Sequence, residues 1–345
     1  MDFEEFGGWK GTLSALMSGT DLSGEHIGSV LDEILQGNAT EAQIAGFVTA
    51  LGIKGQTTEE LAAMVGVMHD AATPLHVPDG AIDIVGMGGS PARRKAAVNV
   101  STMACFVAAA AGAVVCKHGN RKASSTSGSF DLLEALGVNF EIPAEKLGAV
   151  VSEVGVGFAF AKAYHPALRH AGPVRVQLGV PTVFNTLGPL ANPARVKRQV
   201  VGVADASLGA RMIDVLRATG SEASWVVTGD DNLDELTTSG PSTVHRLENG
   251  EISTATVDPQ ALGLAKPADG DLDGGDAATN AAILKRVFAG EAGAVRDIVV
   301  LNAAAGLVVA GVAADLEDGL EKSSAAIDSG AAQAKVDALI AASAS

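Results

Sequence analysis

The sequence is short of several residue types, and each shortage excludes a class of protein. Its 345 residues include two cysteines, Cys105 and Cys116, too few for a disulfide framework and spaced too far apart for a zinc-binding pair. Aromatic residues make up 4% of the chain, and 24 basic residues face 40 acidic ones, giving a formal charge of −16. This charge repels nucleic acid and anionic lipid, so we expect neither as a partner.

Long hydrophobic runs are also lacking. The longest uncharged apolar run, about residues 103–116, is shorter than the roughly 20 residues that a membrane-spanning helix needs. The N-terminal sequence MDFEEFGGWK is acidic and does not have the basic and then apolar segments of a secretory signal. We therefore expect a cytoplasmic protein in a reducing compartment, with no membrane association.

The sequence does contain enough apolar residues to form a large hydrophobic core. Hydrophobic residues make up 47% of the chain, which predicts one large or two modest domains. Apolar residues recur at helical spacing in residues 22–35, 40–53 and 58–72, and Thr57 precedes the last of these as a capping residue. Pro74 and Pro78 then end the pattern. The first 77 residues are predicted to form a small helical domain.

Beyond residue 78 the pattern changes to short apolar strands alternating with helices. Residues 81–85, 113–116, 224–227 and 297–302 are strand-like, whereas residues 101–112 form an alanine-rich helix. This alternation predicts an α/β fold with a mostly parallel central sheet covered on both faces. The last 15 residues are predicted to form a final helix.

Three polar clusters each follow a predicted strand. They are GMGGS at 86–90, KHGN at 117–120 and DDNLDE at 230–235. Ligands of parallel α/β sheets bind beyond the carboxyl ends of the strands. The three clusters are therefore expected to line one crevice.

Each cluster admits a structural and a functional interpretation. The glycines at 86, 88 and 89 suit either a plain turn or close approach of backbone N–H groups to an anion, but they match neither a Walker A loop nor GxGxxG. Ser101 and Thr102 could cap a helix or hold a phosphate. The polar string Lys117–Arg121 is better explained as an anion cradle than as packing. The acids at 230–235 could form a solvated turn or bind Mg²⁺ together with substrate phosphates.

A second basic cluster, YHPALRH followed by Arg175, lies at 164–175. Arg175 is either a surface arginine of a helix or a group that binds a carboxylate with two parallel hydrogen bonds.

These motifs together resemble the anthranilate phosphoribosyltransferase family. The resemblance rests on KHGNRKASSTSGSFDLLEALG at 117–137, AYHPALRHAGPVR, VPTVFNTLGPLANPA, GDDNLDELTTSG and GGDAATNAAILKRV, and it covers about residues 10–330. It implies a helical domain (1–77, with a returning helical segment near 172–194) joined to an α/β domain (78–171 and 195–345), as in the nucleoside phosphorylase and phosphoribosyltransferase class. It also implies a homodimer.

The resemblance implies a reaction and a set of site residues. Anthranilate and 5-phosphoribosyl 1-diphosphate give phosphoribosyl anthranilate and pyrophosphate, with Mg²⁺ as cofactor, in tryptophan biosynthesis. Metal contacts are assigned to Ser101, Asp234 and Glu235, and anthranilate contacts to Gly86, Asn120, His165 and Arg175. The diphosphate substrate is assigned to Gly86, Gly89, Ser90, Asn99, Val100, Ser101, Thr102, Lys117, His118, Gly119, Asn120, Arg121, Ser124, Ser125 and Ser129.

One departure from the family concerns the glycine loop. The family has GTGGD, whereas this chain has Ser90 in place of the acid, followed by a longer segment with Arg93, Arg94 and Lys95. We expect these cations to replace part of the lost grip on the diphosphate. The alternative functions are a pyrimidine nucleoside phosphorylase-like enzyme and, from another class, a non-catalytic relative that binds nucleic acid.

Overall fold

A computed structural model describes residues 3–88, 90, 98–121 and 126–344. The predictions for Gly89, Ser124, Ser125 and the cations at 93–95 lie outside the described residues. None of the helices within these ranges is both long and apolar enough to cross a lipid bilayer.

Four helices form the N-terminal part of the chain, and their ends follow from local sequence. Thr40 and Thr57 each begin a helix with a capping box, in which the threonine hydroxyl accepts a backbone N–H and Gln43 or Glu60 returns the bond. The three helices predicted here are confirmed. The bounds are α1 (Gly8–Met17), α2 (Gly24–Gln36), α3 (Glu41–Lys54) and α4 (Thr58–Asp70).

The rest of the described chain forms a seven-stranded sheet and its covering helices. The strands are β1 (Ile82–Gly86), β2 (Val115–Gly119), β3 (Val156–Phe160), β4 (Arg198–Gly202), β5 (Ala223–Gly229), β6 (Ser242–Glu248) and β7 (Glu251–Val257). The helices are α5 (Val100–Ala110), α6 (Ser129–Leu136), α7 (Ala144–Val154), α8 (Ala161–Tyr164), α9 (Gly172–Leu178), α10 (Val183–Leu187), α11 (Ala206–Ala218), α12 (Ala277–Phe288), α13 (Ala294–Ala310), α14 (Leu316–Asp328) and α15 (Ala331–Ala344). Short 3₁₀ turns lie at Pro166–His170 and Gly188–Leu190.

The strand order is β3-β2-β1-β4-β5-β6-β7. The first five strands in this order are parallel, and β6 and β7 add an antiparallel hairpin at one edge. The carboxyl ends of β1, β2, β4 and β5 therefore meet at the same edge of the sheet. The predicted fold class, a helical domain with a mostly parallel α/β sheet, is confirmed.

Two hydrophobic cores cover the two faces of the sheet. Ile82 and Ile84 of β1 pack against α5 and α13, whereas Val85 on the opposite face joins a core that contains α2, α3 and α4. Alternate residues of one strand thus reach both cores. The N-terminal helices join this core largely through α11, which contacts both α4 and β5.

One predicted strand is wrong. Residues 297–302 (DIVVLN) lie within the 17-residue helix α13 and are buried from Ile298 onward. A continuous apolar run does not distinguish a buried helix from a buried strand, and length decides between them. Here the uncharged run continues through residues 303–310, with Gly306 inside it, and this length favours the helix.

Candidate active site

The loop that follows β5 carries two pairs of acids with different surroundings. Asp231 Oδ1 accepts the Leu233 N–H (3.1 Å), and Asp231 Oδ2 accepts the Thr237 hydroxyl (2.9 Å). Asp231 therefore stabilises the conformation of the loop. Asp234 and Glu235 are buried and contact other segments instead. The structure thus separates acids that the sequence shows only as one cluster.

Asp234 lies against the glycine loop after β1. Its Oδ2 accepts the Gly88 N–H at 2.7 Å. A Cβ at Gly86 would lie 2.4 Å from Asp234 Oδ2, and one at Gly202 would lie 1.8 Å from the Asp234 carbonyl oxygen. The ends of β1 and β4 must be glycine because the loop occupies the space of a side chain.

Glu235 connects the same loop to the first turn of α5. Its Oε1 accepts the Ser101 N–H at 2.9 Å, at a helix N-terminus where a negative charge is stabilised. Lys117 is 2% exposed, and its ammonium donates to the Ile84 carbonyl and to Ser101 Oγ (3.4 Å). A cation, a hydroxyl and two carboxylates thus lie together at the predicted edge of the sheet.

Asn302 of α13 holds the backbone directly after Glu235. Its Oδ1 accepts the Leu236 N–H (3.0 Å), and its Nδ2 donates to the carbonyls of Leu236 (2.9 Å) and Ile298 (2.9 Å). The Leu236 contact has the hydrogen-bond pattern of a strand pair. Sequence reasoning missed Asn302, because it lies in the middle of an apolar helix.

The buried carboxylate of Asp83 hydrogen-bonds to the KHGN segment. Asp83 Oδ2 accepts the His118 N–H (3.2 Å) and the Asn192 Nδ2 (2.9 Å), and Asn192 Nδ2 also donates to the Cys116 carbonyl (2.9 Å). Burial raises the pKa of Asp83 to about 6, and the positive charge of Lys117 partly opposes this. Sequence reasoning also missed Asp83 and Asn192.

The His118 ring is buried and neutral. Its Nδ1 lies 3.1 Å from the Gly188 carbonyl, which can only accept, so Nδ1 carries the proton. The His165 ring packs against it with centroids 5.1 Å apart and bonds through Nε2 to the Ala191 carbonyl (2.8 Å). Burial, followed by the neighbouring His165, lowers the pKa of His118 to about 3. His165 is a support for His118 in this arrangement.

Arg175 is half-buried on α9, and its guanidinium lies 5.6 Å from the centroid of the Phe184 ring. Burial lowers its pKa, and no acidic side chain among the described residues pairs with it. A partly buried guanidinium without an acidic partner has the hydrogen-bond donors to bind a carboxylate or phosphate.

The remaining predicted residues divide into those at the site and those engaged elsewhere. Asn99, Val100 and Thr102 are buried at the start of α5, and Gly119, Asn120 and Ser129 lie where β2 meets α6. Arg121 instead pairs with Glu134 (2.7 and 2.9 Å) and lies over Phe140. The Ser90 hydroxyl donates to the Asn232 carbonyl (2.6 Å). The contacts of these last two residues do not support a substrate role for their side chains.

Comparison with known proteins places this chain in a glycosyl transferase class. The family model described as "Glycosyl transferase family, a/b domain" matches residues 79–333, and "Glycosyl transferase family, helical bundle domain" matches residues 10–72. An anthranilate phosphoribosyltransferase of Nocardioides sp. is 49% identical over 97% of this chain and 99% of its own. The crystal structure of the Thermus thermophilus enzyme of that name superposes with a TM-score of 0.91 at 38% identity, over 97% of this chain and 99% of the other.

The chain belongs to the anthranilate phosphoribosyltransferase family, and the resemblance seen in its motifs is confirmed. A yeast relative, 26% identical with a TM-score of 0.87 over 97% of this chain and 98% of its own, is described in complex with PRPP (the diphosphate substrate) and Mg. The alternatives of a nucleoside phosphorylase and a nucleic-acid-binding relative receive no support from these matches.

Gly202→Ala tests the contact between β4 and the acidic loop. The added methyl group would meet the Asp234 carbonyl at 1.8 Å, so we expect a loss of about 1–3 kcal/mol in the free energy of unfolding, as for other overpacked sites. Denaturant unfolding measures it. Gly66→Ala is the control, because nothing lies within 4 Å of a Cβ on this exposed turn of α4 and helix propensity favours alanine. An equal loss in both variants would contradict the contact.

His69→Gln tests the burial of His69, which lies in the last turn of α4. Burial, then the charge of Arg195 and the neighbouring His165, lower the pKa of His69 to about 4, and Asp70 acts against them. The folded state thus favours the neutral ring, and this contribution to stability is present above pH 6.5 and is lost as the pH falls toward 4. Between pH 7 and pH 5 the variant should lose about 1–2 kcal/mol less stability than the parent protein.

The measurement is the free energy of unfolding at several pH values. His76→Gln removes an imidazole from an exposed position and is the control for the substitution itself. An unchanged difference in stability between pH 7 and pH 5 in the His69 variant would contradict the burial argument.

Proposed function

We propose that this chain transfers the 5-phosphoribosyl group of 5-phosphoribosyl 1-diphosphate to the amine of anthranilate and releases pyrophosphate, as a step of tryptophan biosynthesis. The observation that carries the proposal is the meeting of Lys117, the start of α5 and the Asp234–Glu235 pair at one edge of the sheet. This arrangement suits a diphosphate better than any uncharged ligand.

The diphosphate is held by groups on three segments in this proposal. Lys117 supplies a buried cation, Ser101 and Thr102 supply hydroxyls at a helix N-terminus, and the loop of Gly86 and Gly88 supplies backbone. Among the other assigned contacts in the described part of the chain, Asn99, Val100, Gly119, Asn120 and Ser129 lie near the same edge. The buried, neutral ring of His118 lines this part of the proposed site.

The residues present fit Mg²⁺. Asp234, Glu235 and Ser101 offer oxygen ligands, which this cation prefers, and no group of three His, Cys, Asp or Glu side chains in the described ranges forms a complete metal cage. Such a site suits Mg²⁺, which is usually bound by one or two carboxylates together with substrate phosphates and water. When bound, Mg²⁺ neutralises charge that develops on the departing pyrophosphate.

Anthranilate is held by Arg175 and Asn120. The guanidinium of Arg175 takes the carboxylate in a bidentate pair, and the Phe184 ring packs against the guanidinium. Asn120, exposed at the end of the KHGN segment, orients the ring, and Gly86 and His165 line the approach. The aromatic amine is a neutral nucleophile, so its positioning matters more than activation. A yeast variant enzyme, 25% identical over 97% of this chain with a TM-score of 0.85, is described in complex with 4-fluoroanthranilate.

We infer the division of the chain given by the family: a helical domain of residues 1–77 joined by 172–194, and an α/β domain of 78–171 and 195–345. The packing of α9 and α10 against α3 supports it. Its location is the cytoplasm, which suits the two unpaired, buried cysteines.

We also propose that the enzyme is a homodimer. Met17, Ile53 and Val176 are each at least 80% exposed. They lie on α1, α3 and α9, and α3 contacts both of the other helices. Their apolar side chains suit a second copy of the chain as partner. Light scattering of the purified protein should give twice the chain mass, and Ile53→Glu should lower it; a monomer at all concentrations contradicts the proposal.

The decisive experiment follows the fluorescence of anthranilate with the diphosphate substrate, with and without Mg²⁺. We expect anthranilate to be consumed only when the diphosphate substrate and Mg²⁺ are both present. One pyrophosphate should be released for each anthranilate consumed. Phosphorolysis of uridine or thymidine, tested in parallel with inorganic phosphate, would support the nucleoside phosphorylase instead. No turnover with either substrate pair would reject the proposal.

Arg175→Ala tests whether Arg175 binds anthranilate and not the diphosphate substrate. Loss of a charge-assisted pair costs about 1.5–3 kcal/mol, so we expect KM for anthranilate to rise about 10- to 100-fold while KM for the diphosphate changes little. Arg169→Ala, on the adjacent 3₁₀ turn and exposed, is the matched control. An unchanged KM for anthranilate would show that Arg175 does not bind it.

The triple variant Arg93→Ala, Arg94→Ala and Lys95→Ala tests the longer glycine loop. If these cations bind the diphosphate by charge pairing, its apparent affinity should fall and the loss should shrink at high salt. An affinity equal to that of the parent protein rejects the idea.

A further inference from the structure

A buried asparagine on α12, Asn280, is joined to the start of α5. Its side chain is fully buried, its Oδ1 accepts the Gly275 N–H (2.8 Å), and its Nδ2 donates to Asn99 Oδ1 (2.8 Å). The two asparagines are 181 residues apart in the sequence. Asn99 is one of the residues proposed above to contact the diphosphate.

The direction of these hydrogen bonds fixes the orientation of both amides. The Gly275 N–H can only donate, so Asn280 must turn its oxygen toward Gly275 and its nitrogen toward Asn99. Asn99 must then turn its own oxygen toward Asn280 and its nitrogen away. That nitrogen donates to the Ser127 carbonyl (3.0 Å), and the Ser127 hydroxyl donates to Asn99 Oδ1 (3.2 Å).

Helix capping does not account for this network. Asp276 caps α12 by accepting the Thr279 N–H (2.8 Å). Asn99 stands at the N-cap position of α5 but makes no side-chain cap bond. Both asparagine side chains instead join three segments: the start of α12, the start of α5 and the residues before α6. Two of these segments carry residues of the proposed diphosphate site.

We propose that Asn280 is a positioning residue for the phosphoribosyl diphosphate site: by donating to Asn99 it fixes, together with Ser127, which way the Asn99 amide faces, and so keeps the second N–H of Asn99 available to the substrate. Asn280 does not touch the substrate in this arrangement. The inference rests on the proposed function and adds to it a residue of α12 that acts through Asn99.

Asn280→Asp replaces the donor by an acceptor in a side chain of the same shape, and the neutral Asn280→Ser variant separates loss of the donor from the negative charge that the acid adds. The acid still accepts the Gly275 N–H, but an oxygen now faces Asn99 Oδ1. We expect the dissociation constant for 5-phosphoribosyl 1-diphosphate with Mg²⁺, measured by calorimetry without anthranilate, to rise about tenfold or more. KM for anthranilate, measured at a saturating concentration of the diphosphate, should stay within about twofold.

A pH series distinguishes positioning from a general structural defect. A protonated acid at position 280 can again donate to Asn99, so the affinity of the Asn280→Asp variant should recover toward that of the parent protein as the pH falls. The ratio of the two dissociation constants is the readout, since it cancels effects of pH on the substrate. A ratio that does not change with pH overturns the proposal.

Phe288→Leu is the matched control. Phe288 lies buried on the same helix and packs against Phe106, far along α12 from Asn280, so it lowers stability without changing the amide network. An equal loss of diphosphate affinity in this variant overturns the proposal. If Asn280→Asp does not fold, Asn280→Ser replaces it, because its shorter side chain cannot reach Asn99; it should show the same selective loss.

Failure of this inference and failure of the proposed function give different results. Absence of turnover by the parent protein would reject the function. Normal turnover by the parent protein, with unchanged diphosphate binding in the folded Asn280 variants, would reject only the role of Asn280.

Discussion

The site is held together by two carboxylates that accept backbone N–H groups from other segments. Asp234 bonds to Gly88, 146 residues earlier, and Glu235 bonds to Ser101, 134 residues earlier. These bonds bring the loops after β1 and β5 and the start of α5 to one place. They require glycine at positions 86 and 202, because the Asp234 loop fills the space of a side chain there. The spacing of the remaining site residues depends on this contact.

Much of the fold and part of the site follow from local sequence. The capping residues of α3 and α4, the strands at 82–86 and 115–119, and the polar clusters beyond them each have a signature within a few residues. Parallel strands then bring those clusters to one edge without further information. Residues 297–302 were wrongly predicted, because a short apolar run taken alone is compatible with both a strand and a buried helix; the length of the whole run favours the helix.

The supporting asparagines and Asp83 could not have been found from the sequence alone. Asn302 meets Leu236 across 66 residues, Asn280 meets Asn99 across 181, and Asn192 meets Asp83 across 109. No local spacing marks such contacts. The one available signal is a polar residue inside an apolar stretch, as at Asn302, since a buried amide must find hydrogen-bond partners.

The electrostatics of the site oppose those of the whole molecule. The chain carries a charge of −16, and a dianionic or more highly charged substrate must enter against it. Burial of Lys117 places one cation where water does not screen it. Its neighbours His118 and His165 remain neutral because burial lowers their pKa values. Among the described residues, Lys117 and the N–H groups at the start of α5 therefore supply local attraction for an anion.

The two arginines of the predicted site differ in their surroundings, which their sequence motifs do not show. Arg121 belongs to the KHGNR string, yet Glu134 and Asp131 already neutralise its guanidinium at the surface. Arg175 has a weaker motif, yet it is half-buried over Phe184 with no acidic partner in the described chain. Removing a guanidinium from water costs free energy that an anion must offset. Binding of a ligand carboxylate would therefore be more favourable at Arg175 than at Arg121, because Arg121 already has an acidic partner.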